Sequence, residues 1–353
     1  MHGINLQIVC SHFDIFGIEA SLPLKSGLIN HSYKIKTNDD SFYFLQRINT
    51  TIFDNPQALQ NNYVLVQQHL SSAGNMQLPK LIKTVSGDLF YNKEGEIWRC
   101  FEFLKNTYSP QTIETPEKAY EVANCFGSFT AVLQSFDNNK LATILPYFHD
   151  LSLRFQQFKE ALQTASEQKK EEVKERIQEI EKYAFLVKWF SAIGKDKLHF
   201  PLHILHHDCK IANILFERDT DAIRCPIDLD TTQPGLFFSD IGDMLRTTVP
   251  NLQEDDTNLD ALAIRPAFFD AINEGYLDAM ARFLTGEEKE NLHYAGSVLI
   301  YMQALRFLTD YLNGNVYYKT SYPEQNKDRA ANQLRLLHLL HQFIATNKRN
   351  FVR

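Results

Sequence analysis

The segment Ser32-Tyr33-Lys34-Ile35-Lys36 alternates apolar and polar side chains. After the polar run Asn38-Asp39-Asp40 a second stretch returns from Phe42 to Ile48. Period-two alternation around a polar turn predicts a β-hairpin over 31–48. Pro56 then opens a stretch with apolar residues at helical spacing through Leu70, and this stretch contains no acidic residue. Strand-like pieces follow at 81–84, 88–91 and 97–104, with Glu94-Gly95 as the turn between the last two. From Thr115-Pro116-Glu117 the texture becomes helical, beginning with Ala119 to Leu133. Residues 167–182 form one charge-rich run with Val173, Ile177 and Ile180 on one face, which predicts a solvated helix with a single packed stripe. Short strands and loops occupy 199–241. From Leu259 the pattern is helical again, ending in an amphipathic helix marked by Leu334, Leu337, Leu340 and Phe343. These patterns predict an α+β chain in two lobes: a small antiparallel sheet lobe over 1–104 and a larger helical lobe over 105–353.

A chain of 353 residues with 44% hydrophobic and 22% charged content has material for two cores or one bilobed one. Its formal net charge of -7 disfavours binding to nucleic acid or to anionic membrane, so a small molecule is the expected partner. No run approaches the roughly 18 apolar residues of a membrane span, and a cytoplasmic location is expected. The five cysteines include no C-x-x-C pair, which suits free thiols; Cys209 reads as a bystander.

The chemistry concentrates in His206-His207-Asp208-Cys209-Lys210-Ile211-Ala212-Asn213, followed fifteen residues after Asn213 by Asp228 in Ile227-Asp228-Leu229-Asp230. One carboxylate facing an attacking hydroxyl, with a second carboxylate and an amide oxygen holding a hard divalent cation, is what metal-dependent phosphoryl transfer requires. The strand 214–216, a turn over 217–221 and a return through Ile223 to Ile227 would bring Asp228 beside Asn213. Pro226 in the returning strand points to an edge or a bulge. A zinc site built from His203, His206, His207, Asp208 and Cys209 is disfavoured, because adjacent loop residues do not readily converge on one tetrahedral ion. Ser26-Gly27-Leu28-Ile29-Asn30-His31, ahead of the hairpin, reads either as a phosphate-covering turn or as an ordinary one.

The Asp-x4-Asn loop, the Ile-Asp-Leu-Asp segment and the two-lobe pattern resemble the aminoglycoside phosphotransferase and choline kinase superfamily, with its protein-kinase-like fold. Within it the similarity is closest to N-acetylhexosamine 1-kinases. The matching segments are Leu45-Gln46-Arg47-Ile48-Asn49, His207-Asp208-Cys209-Lys210, Asp228-Leu229-Asp230-Thr231, Pro234-Gly235, Asp240-Ile241-Gly242-Asp243 and Arg306 through Gly314. The resemblance implies that Asp208 is the base, that Asn213 and Asp228 bind Mg2+, and that Asp230 serves a second metal or orients the first. It also implies that the linker from Phe101 through Phe103 to Leu104 binds adenine through its backbone and that Asp240 braces the catalytic loop; on the phosphate-covering reading of the segment ahead of the hairpin, Gly27, Asn30 and His31 lie at the phosphates of ATP.

One departure stands out. The fold usually pairs a strand Lys with a helix Glu to hold the nucleotide phosphates. Here the strand offers Gln46 or Arg47, and the helix after Pro56 offers no acid. A Gln46 bonded to Asn61 or Asn62 avoids an unpaired buried charge, and Lys210 is then expected to supply positive charge at the transferred phosphate. For the acceptor, Arg306 and Asp310 stand one helical turn apart, with Tyr317 and Tyr318 beyond and Phe148-His149-Asp150 as further candidates. The expected reaction is transfer from ATP to the anomeric hydroxyl of N-acetylglucosamine or N-acetylgalactosamine. The alternatives are a kinase for choline, homoserine or an aminoglycoside, which would want an acidic pocket such as one including Glu254-Asp255-Asp256, and a catalytically silent nucleotide-binding module.

Overall fold

The computed structural model describes residues 5–24, 29–73 and 76–347, and Gly27 lies outside them. The chain divides into two compact units. The first comprises Met1–Pro110, Ser135–Leu145 and Ala212–Gln233; the second comprises Gln111–Gln134, Pro146–Ile211 and Pro234–Arg353. Two segments from beyond residue 104 therefore cluster with the amino-terminal one.

In the first unit, α1 (Leu6–Ser11) precedes β1 (Ile18–Leu24), β2 (His31–Thr37) and β3 (Phe42–Ile48). Next come α2 (Pro56–Ser72), β4 (Leu81–Ile82), β5 (Tyr91–Lys93), β6 (Glu96–Glu102) and β7 (Thr107–Tyr108). Among the described residues the sheet order is β1-β2-β3-β6-β4, with β5 also on β6, and each pairing is antiparallel. Successive side chains take opposite faces. On one face Leu45, Ile35, Trp98 and Cys100 pack with Val9, Cys10 and Phe13 of the α1 region. On the other, Gln46 stands opposite Arg99 in the register, and Phe44 opposite Phe101. Helix α2 starts where the Asn55 side chain accepts the Ala58 N–H at 3.0 Å, with Pro56 in the first turn.

A second sheet of this unit, β10-β9-β7, contains β9 (Ile214–Glu217) and β10 (Ile223–Pro226). The register slips between Ile223 and Cys225, and β10 is the edge strand. Pro226 is thus accommodated in both of the ways expected of it.

The second unit is helical: α3 (Pro116–Leu133), α4 (Leu151–Thr164), α5 (Glu167–Glu172), α6 (Lys174–Lys182), α7 (Phe185–Lys195), then the short strand β8 (His203–Leu205). After β11 (Gln233–Gly235), which leads in from the first unit, come α8 (Phe238–Thr248), α9 (Pro266–Met280), α10 (Gly286–Asn291), α11 (Ala295–Leu312) and α12 (Gln325–Asn347). Helix α3 packs on α9, and α11 is the hub on which α4, α8 and α12 pack. Close approach of α8 to α11 depends on Gly242, where a Cβ would come within 2.6 Å of the Ala295 carbonyl oxygen. The charged run over 167–182 is two helices rather than one. At Val173, 1% exposed, the backbone leaves the helical conformation at φ -120° and ψ 15°. No helix among the described residues is long and apolar enough to cross a membrane.

Candidate functional site

Each unit carries part of the predicted chemistry. In the first, Asn213 is buried, and its carbonyl accepts the Ile227 N–H at 2.8 Å, which sets Asp228 alongside it. Asp228 adopts a left-handed conformation, φ 62° and ψ 57°, from which a single 3-10 turn, Leu229–Thr231, departs. Asp is among the few non-glycine residues that tolerate this region, and here the left-handed backbone sets the direction in which the turn leaves. An amide oxygen and a carboxylate are hard donors that suit Mg2+.

Asp230 lies two residues beyond Asp228. It is 5% exposed, and both carboxylate oxygens are engaged. Oδ1 accepts from Arg99 Nη1 at 2.6 Å, while Oδ2 accepts from Arg99 Nη2 at 2.7 Å and from Asn30 Nδ2 at 3.0 Å. Arg99 also donates through Nε to Gln46 Oε1 at 2.8 Å, and Gln46 Nε2 donates to Ser32 Oγ at 2.9 Å. Gln46 therefore faces Arg99, not Asn61 or Asn62. Those two amides bond instead to Gln57 and to Ala142. Arg47 points to the opposite face of β3, where it pairs with Glu96 at 2.7 Å, which removes it from the phosphate role expected of it. His31 lies opposite Arg47 in the register, at the exposed start of β2. Arg99 itself was missed in the sequence, although a charge inside the apolar run Ile97-Trp98-Arg99-Cys100-Phe101 was the available signal.

Along the linker, the Phe101 ring packs edge-on to Tyr63 at 4.9 Å between centroids. The Glu102 N–H donates to the Lys80 carbonyl and the Phe103 N–H to the Phe42 carbonyl, whereas the Leu104 N–H donates to no group among the described residues. A cavity of about 600 Å3 adjoins this segment, lined by Phe42, Tyr43, Glu102, Phe103, Leu104 and Arg224 among others.

In the second unit, Asp208 Oδ2 pairs with Lys210 Nζ at 2.7 Å, and both side chains are about one-third exposed. The backbone leading to Asp208 is held by Asp240, fully buried, which accepts the N–H of His206 at 3.1 Å and of His207 at 2.7 Å. His207 is left-handed, φ 66°. The His207 ring meets Ser239 Oγ at 2.6 Å, and the same hydroxyl bonds to His149 Nδ1. Burial, with His207, Arg306, Arg154 and Arg246 adding to it, holds the His149 imidazole well below the usual histidine range. Burial raises the Asp243 carboxyl, with Arg246 pulling the other way and the nearby Asp208 carboxylate adding to the rise. The Cys209 thiol is pushed far up, chiefly by burial. The neighbouring histidines do not converge: His203 bonds to Gln134 and Glu288, and His206 packs against Phe126 and Phe129. No group of three or more His, Cys, Asp or Glu among the described residues is arranged to hold a metal ion.

The expected acceptor residues fall into two kinds. The Arg306 guanidinium lies 5.7 Å from the Phe148 ring centroid, 5.6 Å from Tyr317 and 5.5 Å from Tyr318, and it forms no ion pair among the described residues. Asp310 does not join Arg306 and does not face outward. Its Oδ1 accepts the N–H groups of Val316 and Tyr317, and its Oδ2 accepts the N–H of Tyr318 and the Asn326 amide. Asp310 shapes the loop that carries the tyrosines, and with both oxygens used it has nothing left for a substrate. Arg154 fixes the other wall by donating to the Phe148 carbonyl at 3.0 Å.

The chain is similar to known proteins in fold and in sequence family. Solved structures similar to the chain include an aminoglycoside phosphotransferase from Alicyclobacillus acidocaldarius (TM-score 0.64, 13% identity, 98% of each chain covered). Another is spectinomycin phosphotransferase in complex with ADP and spectinomycin (TM-score 0.64, 14% identity, covering 97% of this chain and 100% of that one). Choline kinase from Cryptosporidium parvum aligns at TM-score 0.52 and 13% identity over 94% of this chain and 91% of that one. At such identities these likenesses establish a common fold. The family itself is established by the sequence: residues 21–285, well over half of the chain, match the model of the phosphotransferase enzyme family known as APH, and the chain belongs to that family.

Proposed function

We propose that the protein transfers the γ-phosphoryl group of ATP to the anomeric hydroxyl of an N-acetylhexosamine. The observation that carries the acceptor class is the environment of Arg306, a cation without an ion-pair partner among the described residues, set among Phe148, Tyr317 and Tyr318. A cationic acceptor such as choline or an aminoglycoside would be repelled there. A neutral sugar offers hydroxyl and acetamido oxygens to the guanidinium and a C–H face to the rings. Glu254, the acid that might have served a cationic acceptor, is committed to Arg246 at 2.7 Å.

For the donor, the N–H of Leu104, which donates to no group among the described residues, suits an adenine ring nitrogen, and the ADP in the spectinomycin phosphotransferase supports a nucleotide in this family. Asn213 and Asp228 would hold Mg2+, which when bound neutralises the phosphate oxygens. Asp208 accepts the proton of the sugar hydroxyl as its oxygen bonds to the γ-phosphorus. The bond from that phosphorus to the β,γ-bridging oxygen breaks, leaving ADP and the sugar 1-phosphate. Lys210 tethers Asp208 in the resting protein and offers positive charge toward the transferred group. Much of the acceleration in such a site comes from alignment, because the transition state is loose and little covalent chemistry falls to the protein.

The test is transfer from ATP with Mg2+ to a panel of hexosamines, choline, homoserine and aminoglycosides. N-acetylhexosamines are expected to be the best acceptors. Activity confined to cationic acceptors would overturn the sugar reading and leave the kinase reading in place.

A further inference from the structure

The buried Arg99–Asp230 pair in the first unit has no place in the chemistry above. Arg99 is 2% exposed and lies at the centre of β6; Asp230 is two residues beyond Asp228. A chain of polar contacts runs from Ser32 on β2 through Gln46 on β3 to Arg99, on to Asp230, and then to Asn30. Asn30 Oδ1 in turn accepts the Asn49 N–H at 2.9 Å. The 3-10 turn after Asp228 is thereby fastened to three strands of the sheet and to the segments flanking two of them.

We propose that Arg99 is a positioning residue for the cation site: its two-pronged grip on Asp230 holds the left-handed turn at Asp228, and Asp230 is a clamp rather than a metal ligand. Several observations converge. Both Asp230 oxygens are engaged, by three hydrogen bonds in all, so a cation there would compete with the guanidinium. Asp228 stands in a left-handed conformation at the start of the turn, one that a neighbouring restraint helps to fix. The sheet position that commonly supplies a Lys carries Gln46, and the Gln46 carbonyl oxygen is spent on orienting Arg99. A guanidinium matches a carboxylate with two parallel bonds, which fixes direction as well as distance, whereas an ammonium does not. Groups one step removed from a cation commonly set its affinity in this way.

The inference rests on the reading of Asn213 and Asp228 as cation ligands, and its test separates the two. Mn2+ is titrated into the full-length protein in the presence of ADP, and binding is read from loss of the free-ion EPR signal, with no turnover involved. Asp228→Asn is the control: Mn2+ binding unchanged by it removes the ligand reading itself. With that control satisfied, Arg99→Gln and Asp230→Asn are each expected to weaken Mn2+ about 10- to 100-fold. The double variant is expected to be no weaker than the worse single one, because both remove one clamp. Arg99→Lys keeps the buried charge and decides the matter if Arg99→Gln fails to fold; it should weaken Mn2+ at least threefold, about the least that removal of a directed charged bond would give. Weakening by Asp230→Asn with wild-type binding in both Arg99 variants would make Asp230 a ligand and overturn the proposal, as would additive losses in the double variant.

Discussion

Asp310 accepts the backbone N–H of Tyr317 at 2.8 Å, on the same oxygen that accepts the Val316 N–H at 2.9 Å. This relationship makes a buried acid at the end of α11 the organiser of an exposed aromatic loop. Bonds to a charged acceptor contribute about 1.5–3 kcal/mol each, and loss of several of them releases the loop. Asp310→Ala is expected to raise the acceptor KM about 10- to 100-fold, since each tenfold corresponds to about 1.4 kcal/mol. The KM for ATP should stay within about threefold, because no Asp310 bond reaches a segment assigned to the nucleotide. Steady-state kinetics with each substrate varied in turn checks this.

Gly235 lies against the His207 ring, where an added Cβ would come to 2.3 Å from Cε1 and 2.8 Å from Nε2. The ring cannot yield freely, being bonded to Ser239 at 2.6 Å while its backbone is held by Asp240. Overpacking of this kind costs about 1–3 kcal/mol, and displacement of His207 is passed on to its neighbour Asp208. Gly235→Ala should lower both Tm and kcat. Gly194→Ala, in α7 with open space around it, is the control and should leave kcat unchanged.

The pH dependence of stability has a definite sign at His149. Burial keeps its imidazole neutral in the folded protein, so its folded pKa lies below the unfolded value of about 6.5. Between those two values the unfolded chain binds the extra proton, and unfolding becomes more favourable as pH falls. Stability tied to this group is complete above pH ~6.5 and is lost progressively below it. His341 is shifted in the same direction by burial, and His199, raised by Asp196, acts oppositely. Comparing the slopes of two proteins isolates one group: between pH 7.5 and 5.5 the Tm of His149→Gln should fall less than that of the wild type.

Glu288 joins two structural tasks in the second unit. It closes a capping box with Thr285 at the start of α10 and pairs with buried His203 at 2.9 Å. Glu288→Ala is expected to cost about 2–4 kcal/mol, since it leaves a buried His203 ring nitrogen without its hydrogen-bond partner and removes half of a cap. Denaturant titration checks this, and kcat per folded molecule should be unchanged.

Much of this was legible in the residues. The hairpin over 31–48 showed in its period-two pattern, and the helices after Pro56 and Thr115 in their caps and spacing. The Asn213–Asp228 juxtaposition followed from counting residues around one turn. The missing parts were set by tertiary contacts. Nothing local says that Gln46 would turn toward a residue on β6, 53 positions away, instead of toward α2. Asp310 looked like one half of a helical charge pair because spacing along a helix predicts neighbours on that helix. Its real partners lie on the following loop and on α12. Val173 ends one helix and precedes the next, a break that the apolar stripe of the charged run does not announce.

The most direct measurement of the central claim is 31P NMR of the product formed from ATP, Mg2+ and N-acetylglucosamine or N-acetylgalactosamine, with wild type and Asp208→Asn side by side. The account predicts a sugar phosphate whose phosphorus couples to the anomeric proton, formed about 10²- to 10⁴-fold more slowly by Asp208→Asn. Phosphate on another hydroxyl, no transfer to either sugar, or an undiminished rate in Asp208→Asn would contradict it.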